Sequence, residues 1–271
     1  MADLPPDILA SILRQDFALD AAVDRLMRRT TPLLARVAAR TQAELMRRLE
    51  IVDGRIAQTP ANQQVLRQTA RIYEGFLKRS AYGTHLGRFV HSFPGQQRFF
   101  RDILSAINDT LVNPLPDFTY RVSDEAFFRS HQISSVAALE SMPLRLASQA
   151  RERLLLTTGA LPVGQLADVL GTVFAHAPLH LEGLAVTAIS THYRVIQDKG
   201  YQIIEEEAGA LKYIFAGPRD KLNRPFCRRI LNDNEPRTRE QINRLDNRSP
   251  LKPVFTAAGG YACRHQWIPL Q

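Results

Sequence analysis

Over the first third of the chain, apolar residues return at helical spacing. Leu19, Val23, Leu26, Leu33, Val37, Leu45, Leu49 and Val52 lie on such a pattern, with Arg28, Arg29, Arg36, Arg40, Arg47 and Arg48 between them. A period near 3.6 residues is that of an amphipathic helix, one face apolar and the other solvated, and it excludes a strand. Pro32 sits inside the pattern and lacks the N–H that helix continuity needs, so a kink or a break is expected near Thr30 and Thr31. The apolar stripe is expected to pack on neighbouring elements of the same chain.

Further helices are expected from about Ala61 to Lys78 and from Gly95 to Leu111, the latter rich in Phe99, Phe100, Ile103, Leu104 and Ile107. Asn113-Pro114-Leu115-Pro116-Asp117 then stops the helical pattern, because two prolines in four residues remove donors and restrict the residues before them. Phe118 to Val122 reads as a short strand. Helices resume over Ser134–Thr158, Pro162–Ala175 and Leu179–Lys199, the second with proline in its first turn, where the missing N–H is harmless. Glu205, Glu206 and Glu207 read as a solvated helix end.

From Leu211 the pattern changes. Leu211 to Phe215 alternates and carries aromatic and β-branched residues, as a strand does, and Gly217-Pro218 turns it. Thr238-Arg239-Glu240-Gln241 fits a capping box, which opens a short helix with Ile242 and Leu245 inward. Val254-Phe255 reads as a strand fragment, and Gly259-Gly260 leads into Tyr261-Ala262-Cys263-Arg264-His265-Gln266-Trp267. The expected fold class is α+β and predominantly helical. Its expected parts are an N-terminal helical region (1–113), a central helical region (114–209) and a small loop-rich module with a short sheet (210–271). So small a module has little core of its own, and a cross-link, a metal or docking onto the preceding helices is expected to hold it.

Composition narrows the function classes. The 271 residues carry 35 Lys/Arg and 27 Asp/Glu, a formal charge of +8. From Arg219 to the end, eleven Lys/Arg face five acids, a surplus of +6, so the basic excess is expected at the C-terminal end. Such a concentration suits a polyanionic partner through counterion release, or is simply a solvated surface. Two cysteines are too few for a secreted disulfide scaffold. No basic-then-apolar leader opens the chain and no unbroken apolar run reaches the 18 or so residues of a membrane span, so a reducing cytosol and no membrane are expected.

The residues that carry chemistry cluster in the C-terminal module: Asp220, Arg224, Pro225, Cys227, Gly259, Gly260, Cys263, His265 and Trp267. Cys263 and His265 are two apart, so an extended segment projects both from one face. Cys227 lies 36 residues earlier. The three are compatible with a structural Zn²⁺ needing a fourth ligand, with Asp220 or a partner residue as candidates. They are also compatible with two buried thiols beside a hydrogen-bonded His265, with a Cys227–Cys263 disulfide, or with a catalytic cysteine served by His265. No glycine-rich phosphate loop, second nucleophile signature or paired carboxylates accompany them. The remaining histidines (His85, His91, His131, His176, His180 and His192) are scattered and read as structural.

The segment from about Leu179 to the end resembles the phage head-morphogenesis family, the Mu F-like minor head proteins of tailed bacteriophages. The resemblance rests on the helix Leu184–Arg194, the strand Tyr213-Ile214-Phe215, the turn Gly217–Cys227 containing Asp220, Arg224, Pro225 and Cys227, and the ending Phe255–Trp267 containing Cys263-Arg264-His265. Two features depart from the family pattern: Cys227 is not followed by a second cysteine in a Cys-x-x-Cys, and His265 stands where a last cysteine is common. The resemblance implies a virion component that binds the portal, capsid or head-tail connector proteins and works without catalytic turnover, with a homo-oligomeric ring as one arrangement. It would be assembled in the bacterial host cytoplasm and carried in the phage head. A basic module facing packaged DNA would use Arg219, Arg224, Arg228 and Arg229 on phosphates without sequence preference. Two other classes remain open on sequence: a nucleic-acid-processing enzyme built on a zinc-like Cys/His cluster, and a DNA-binding regulatory protein, for which no helix-turn-helix is evident.

Overall fold

A computed structural model describes residues 6–109, 114–118, 125–156 and 161–270. The fold is α+β and mostly helical, with two small three-stranded sheets. Helix α1 (Pro6–Arg48) is followed by a β-hairpin, β1 (Ile51–Val52) and β2 (Arg55–Ile56), and by helices α2 (Pro60–Arg67), α3 (Thr69–Lys78), α4 (Tyr82–His91) and α5 (Phe93–Asp109). Next come α6 (Glu125–Leu156), β3 (Leu161–Pro162), α7 (Val163–Ala175) and α8 (Ala177–Ala208). The C-terminal part contains β4 (Lys212–Ala216), α9 (Pro225–Asp233), β5 (Arg237–Thr238), α10 (Arg239–Asn243), α11 (Val254–Ala257) and β6 (Gln266–Leu270).

The expected break at Pro32 does not occur, and α1 runs through it. Pro32 is exposed, so the Arg28 carbonyl that loses its N–H partner can bond water instead. The apolar stripe faces inward as expected, with Val23, Leu26, Val37, Leu45 and Leu49 buried; Leu34 is buried beside the half-buried Leu33, and Val52 lies on exposed β1. The single helix expected over Ala61–Lys78 is two, divided at Gln68. The strand expected over Phe118–Val122 lies, beyond a buried Phe118, outside the described residues. Val254-Phe255 opens the one-turn helix α11 and is not a strand. The Thr238 capping box is present, with Gln241 returning the bond.

The chain divides into two compact units, each assembled from separate stretches. The first comprises residues 1–23, 90–136 and 183–271; the second comprises 24–89 and 137–182. The sequential division into 1–113, 114–209 and 210–271 therefore does not describe the packing, because α1, α6 and α8 each contribute residues to both units. In the second unit, β2 pairs antiparallel with β1 and β3, and the hairpin turns at Asp53-Gly54 with φ 48° and 71°. Tyr73 stacks on Phe174 at 4.7 Å, within a core that includes Leu45, Leu86, Leu139 and Leu166. In the first unit, β4 is the central strand of β5-β4-β6, all antiparallel, with Tyr213 opposite Pro269 and Phe215 opposite Trp267. Tyr213, Tyr201 and Phe255 meet edge-on or tilted and close this core.

One sequence expectation changes with this partition. The second unit holds 16 Lys/Arg against 9 Asp/Glu, a surplus of +7, and the first holds 19 against 18, a surplus of +1. The basic C-terminal end is thus offset by acids of its own unit, and the excess of the molecule resides in the other one. The stretch Val163–Glu207 has the length and composition of a membrane span, with a window of mean hydropathy 1.3 that is 39% buried. It is divided into α7 and α8 at His176, which caps α7.

Candidate metal centre in the C-terminal module

Three loops and helix ends converge beside β4. Pro225 occupies the first turn of α9, and Arg224 ahead of it is extended at φ −67°, ψ 158°, which suits a residue before proline. Phe226, Cys227, Ile230 and Leu231 form the buried face of α9, and Asn234 ends it in the left-handed region at φ 47°. Cys227 is thereby held inward in the first turn of this helix. The preceding turn is built by Asp220, whose Oδ1 accepts from the Leu222 N–H at 2.9 Å, and by Asn223, whose Nδ2 donates to the Pro218 carbonyl at 2.8 Å.

Cys263 lies in the loop between α11 and β6. The Gly260 N–H donates to the Ala257 carbonyl at 2.8 Å, and the Cys263 N–H donates to the Gly260 carbonyl at 3.1 Å. Helix α8 braces this loop: Arg194 donates to the carbonyls of Ala257 at 2.7 Å and Cys263 at 3.1 Å, and the Thr187 hydroxyl accepts from the Ala262 N–H at 2.7 Å. Gly259 is required here by close approach, since a Cβ would fall 2.3 Å from Cys227 Sγ. His265, just before β6, stacks on Phe215 at 5.1 Å between centroids. Gly217 lies against it at φ 149°, where a side chain would meet both backbone strain and the His265 backbone.

Cys227, Cys263 and His265 are all buried, and their donor atoms lie within 4.8 Å of one another; this group can hold a metal ion. The two Sγ atoms are 3.8 Å apart, too far for a bond, and both thiols are free. Cys263 Sγ lies 3.5 Å from His265 Nδ1, and His265 Nε2 donates to the Pro218 carbonyl at 2.9 Å. That carbonyl fixes the proton on Nε2 and leaves the Nδ1 lone pair facing the sulfurs, the orientation in which ligating histidines are held. The Gly259 N–H points at Cys263 Sγ at 3.2 Å. The Cys227 hydrogen bond, then His265 and the Arg194 charge, hold Cys263 well below the ordinary thiol range against the cost of burial. The same hydrogen bond, then burial, pushes Cys227 up. The pair therefore deprotonates first at Cys263, and a thiolate is what a soft metal takes.

Asp220, expected as a fourth ligand, is not part of the group. Its second oxygen accepts from Arg264, and that pairing holds its carboxyl below the usual range. Of the four arginines expected on phosphate, two are engaged within the module. Arg219 donates to the Leu231 carbonyl at 2.6 Å and to Asn232 at 3.2 Å, and Arg224 to the Gly259 carbonyl at 3.2 Å. Arg228 and Arg229 are exposed on α9, Arg229 over the Phe226 ring at 5.8 Å. Arg194 and Thr187, which tie the loop to α8, had no sequence signal beyond their place on a helix. Comparison with family models, with curated proteins and with solved structures finds no match to the chain.

Proposed function

We propose that this chain is a minor head protein of a tailed bacteriophage, which works by binding portal, capsid or connector proteins and whose C-terminal module is clasped by Zn²⁺ on Cys227, Cys263 and His265. The observation that carries the reading is the convergence of the separated family-like segments. Helix residues Thr187 and Arg194, the strand around Phe215, the Asp220–Cys227 turn and the Cys263–His265 ending all pack around one buried Cys/His group.

The donor spacing supports zinc. In a tetrahedral site with Zn–S of about 2.3 Å and Zn–N of about 2.0–2.1 Å, the edges come to about 3.8 Å for S···S and about 3.6 Å for S···N. Two of the three edges here are 3.8 Å and 3.5 Å, and the third lies within 4.8 Å. Zinc would supply a redox-inert cross-link between α9 and the β6 end of the module. No carboxylate belongs to the group among the described residues, which favours a structural role over hydrolysis.

Two measurements test the two halves of this reading. Native mass spectrometry of the protein purified without chelator should show one zinc, lost with Cys227→Ser and His265→Ala; a bare mass with an intact module rejects the metal. Procapsids assembled from tailed-phage portal and capsid proteins should retain it on sedimentation. Absence from those particles rejects the head-protein reading.

A further inference from the structure

The unequal division of charge directs attention to the second unit, and there to the exposed side of α1. Arg25, Arg28, Arg29, Arg36, Arg40, Arg47 and Arg48 are all exposed. At about 100° per residue, Arg25, Arg29, Arg36, Arg40 and Arg47 fall within an arc of about 60°, a single stripe about 33 Å long. Arg25, Arg28, Arg36 and Arg40 make no ion pair with the described residues. The residues exposed between them are mostly alanine, with Asp24 at one end and Pro32 midway. Among the described residues of α1, no large apolar side chain is exposed, so the stripe has nothing to insert into a lipid surface.

Beside the stripe's C-terminal end, α1 also borders a cleft. Glu44 and Arg48 of α1, with Gln68, Arg71, Phe76 and Arg79, line an open volume of about 360 Å³. Glu44 accepts from Arg47 at 2.9 Å and from Arg48 at 2.6 Å, so its carboxylate is already neutralised from within. Those two guanidiniums hold it at about 2. Arg79 lies over the Phe76 ring at 5.1 Å, and Arg71 makes no ion pair with the described residues. The cleft therefore presents arginine forks and an aromatic edge at the end of a linear array of positive charge.

We propose that this stripe and cleft form a nucleic-acid backbone site, taking phosphates without base readout, and that it is separate from the Cys/His module. The stripe matches about one turn of duplex, roughly 34–36 Å, and planar guanidiniums favour phosphate over a compact point charge. A stripe with small residues between its arginines lets a phosphate backbone lie close along it. An acidic protein presents lower and less regular charge density, and is the competing occupant.

The experiment is fluorescence anisotropy with a mixed-sequence duplex of about 30 base pairs, between about 50 mM and 200 mM salt. The full-length wild type should bind with a steep salt dependence, and Arg29→Gln/Arg36→Gln/Arg40→Gln should weaken it by at least about tenfold at low salt. The slope of log affinity against log salt should fall by about 2 to 3, near 0.9 for each lost phosphate contact. These side chains are exposed, so far-UV circular dichroism should be unchanged. Arg71→Gln/Arg79→Gln tests the cleft separately and should cost about threefold or more. Arg228→Gln/Arg229→Gln should cost less than the α1 triple variant. Wild-type affinity in the triple variant, or a larger loss from the α9 pair, overturns the proposal. So does displacement of the duplex by polyglutamate at equal charge, which assigns the face to an acidic protein.

Discussion

At the scale of single residues, Pro143 explains a contact that has no other reason to exist. It sits buried inside α6, and its missing N–H leaves the carbonyl of Leu139, four residues back, without a helical partner. The Tyr82 hydroxyl donates to that carbonyl at 2.8 Å. Both groups are buried, so Tyr82→Phe should cost about 1–2 kcal/mol, the penalty of an unsatisfied buried acceptor. Urea unfolding should show a lower midpoint at unchanged slope; an unchanged midpoint would mean that water reaches Leu139. From the sequence, Pro32 is expected to kink or break its helix, whereas the helix expected over Ser134–Thr158 already runs through Pro143. The chain tolerates the two prolines by two routes: Pro32 faces solvent, and Pro143 has a tyrosine from another helix. Nothing local in the sequence distinguishes these cases, because the compensating group is 57 residues away.

At the scale of elements, α8 does more than fill the core. Arg194 is 4% exposed and bonds the Ser190, Ala257 and Cys263 carbonyls, so one side chain joins the helix to the loop carrying a candidate ligand. Arg194→Met keeps much of the volume and removes these bonds, taking the Arg194 donor from the Cys263 carbonyl and leaving the Ala257 carbonyl with the Gly260 N–H. Zinc affinity, measured by chelator competition, should fall about 10- to 100-fold, as it does when groups supporting metal ligands are removed. Unchanged affinity would show that the loop is set by the Gly260 and Ala257 backbone bonds alone. The sequence located most of this helix (Leu179–Lys199), a strand over Leu211–Phe215 that is observed over Lys212–Ala216, and the capping box at Thr238. It missed β6 and the Asp53-Gly54 hairpin, and it misread Val254-Phe255. Fragments this short are set by their partners across the sheet or core and carry too few residues for a period to emerge.

For the whole molecule, if Zn²⁺ occupies the Cys/His group as proposed, the two units should respond differently to its removal. Hydrogen exchange after chelation should rise over 212–270, where Cys227, Cys263 and His265 are drawn from, and stay low over α2 to α4 in the second unit. A uniform rise through both units would place the metal in the global folding equilibrium. By itself the sequence determined the helical class, the inward apolar face of α1 and the residues of the Cys/His group, since each depends on local spacing or residue chemistry. Only tertiary structure decided that Cys227 and Cys263 stand 3.8 Å apart with His265 Nδ1 turned toward them, that Asp220 belongs to Arg264, and that the charge excess lies on the second unit. The physical reason is range. Side-chain spacing along one helix is fixed by the backbone period, whereas donor geometry and net charge per unit depend on which distant stretches share a core.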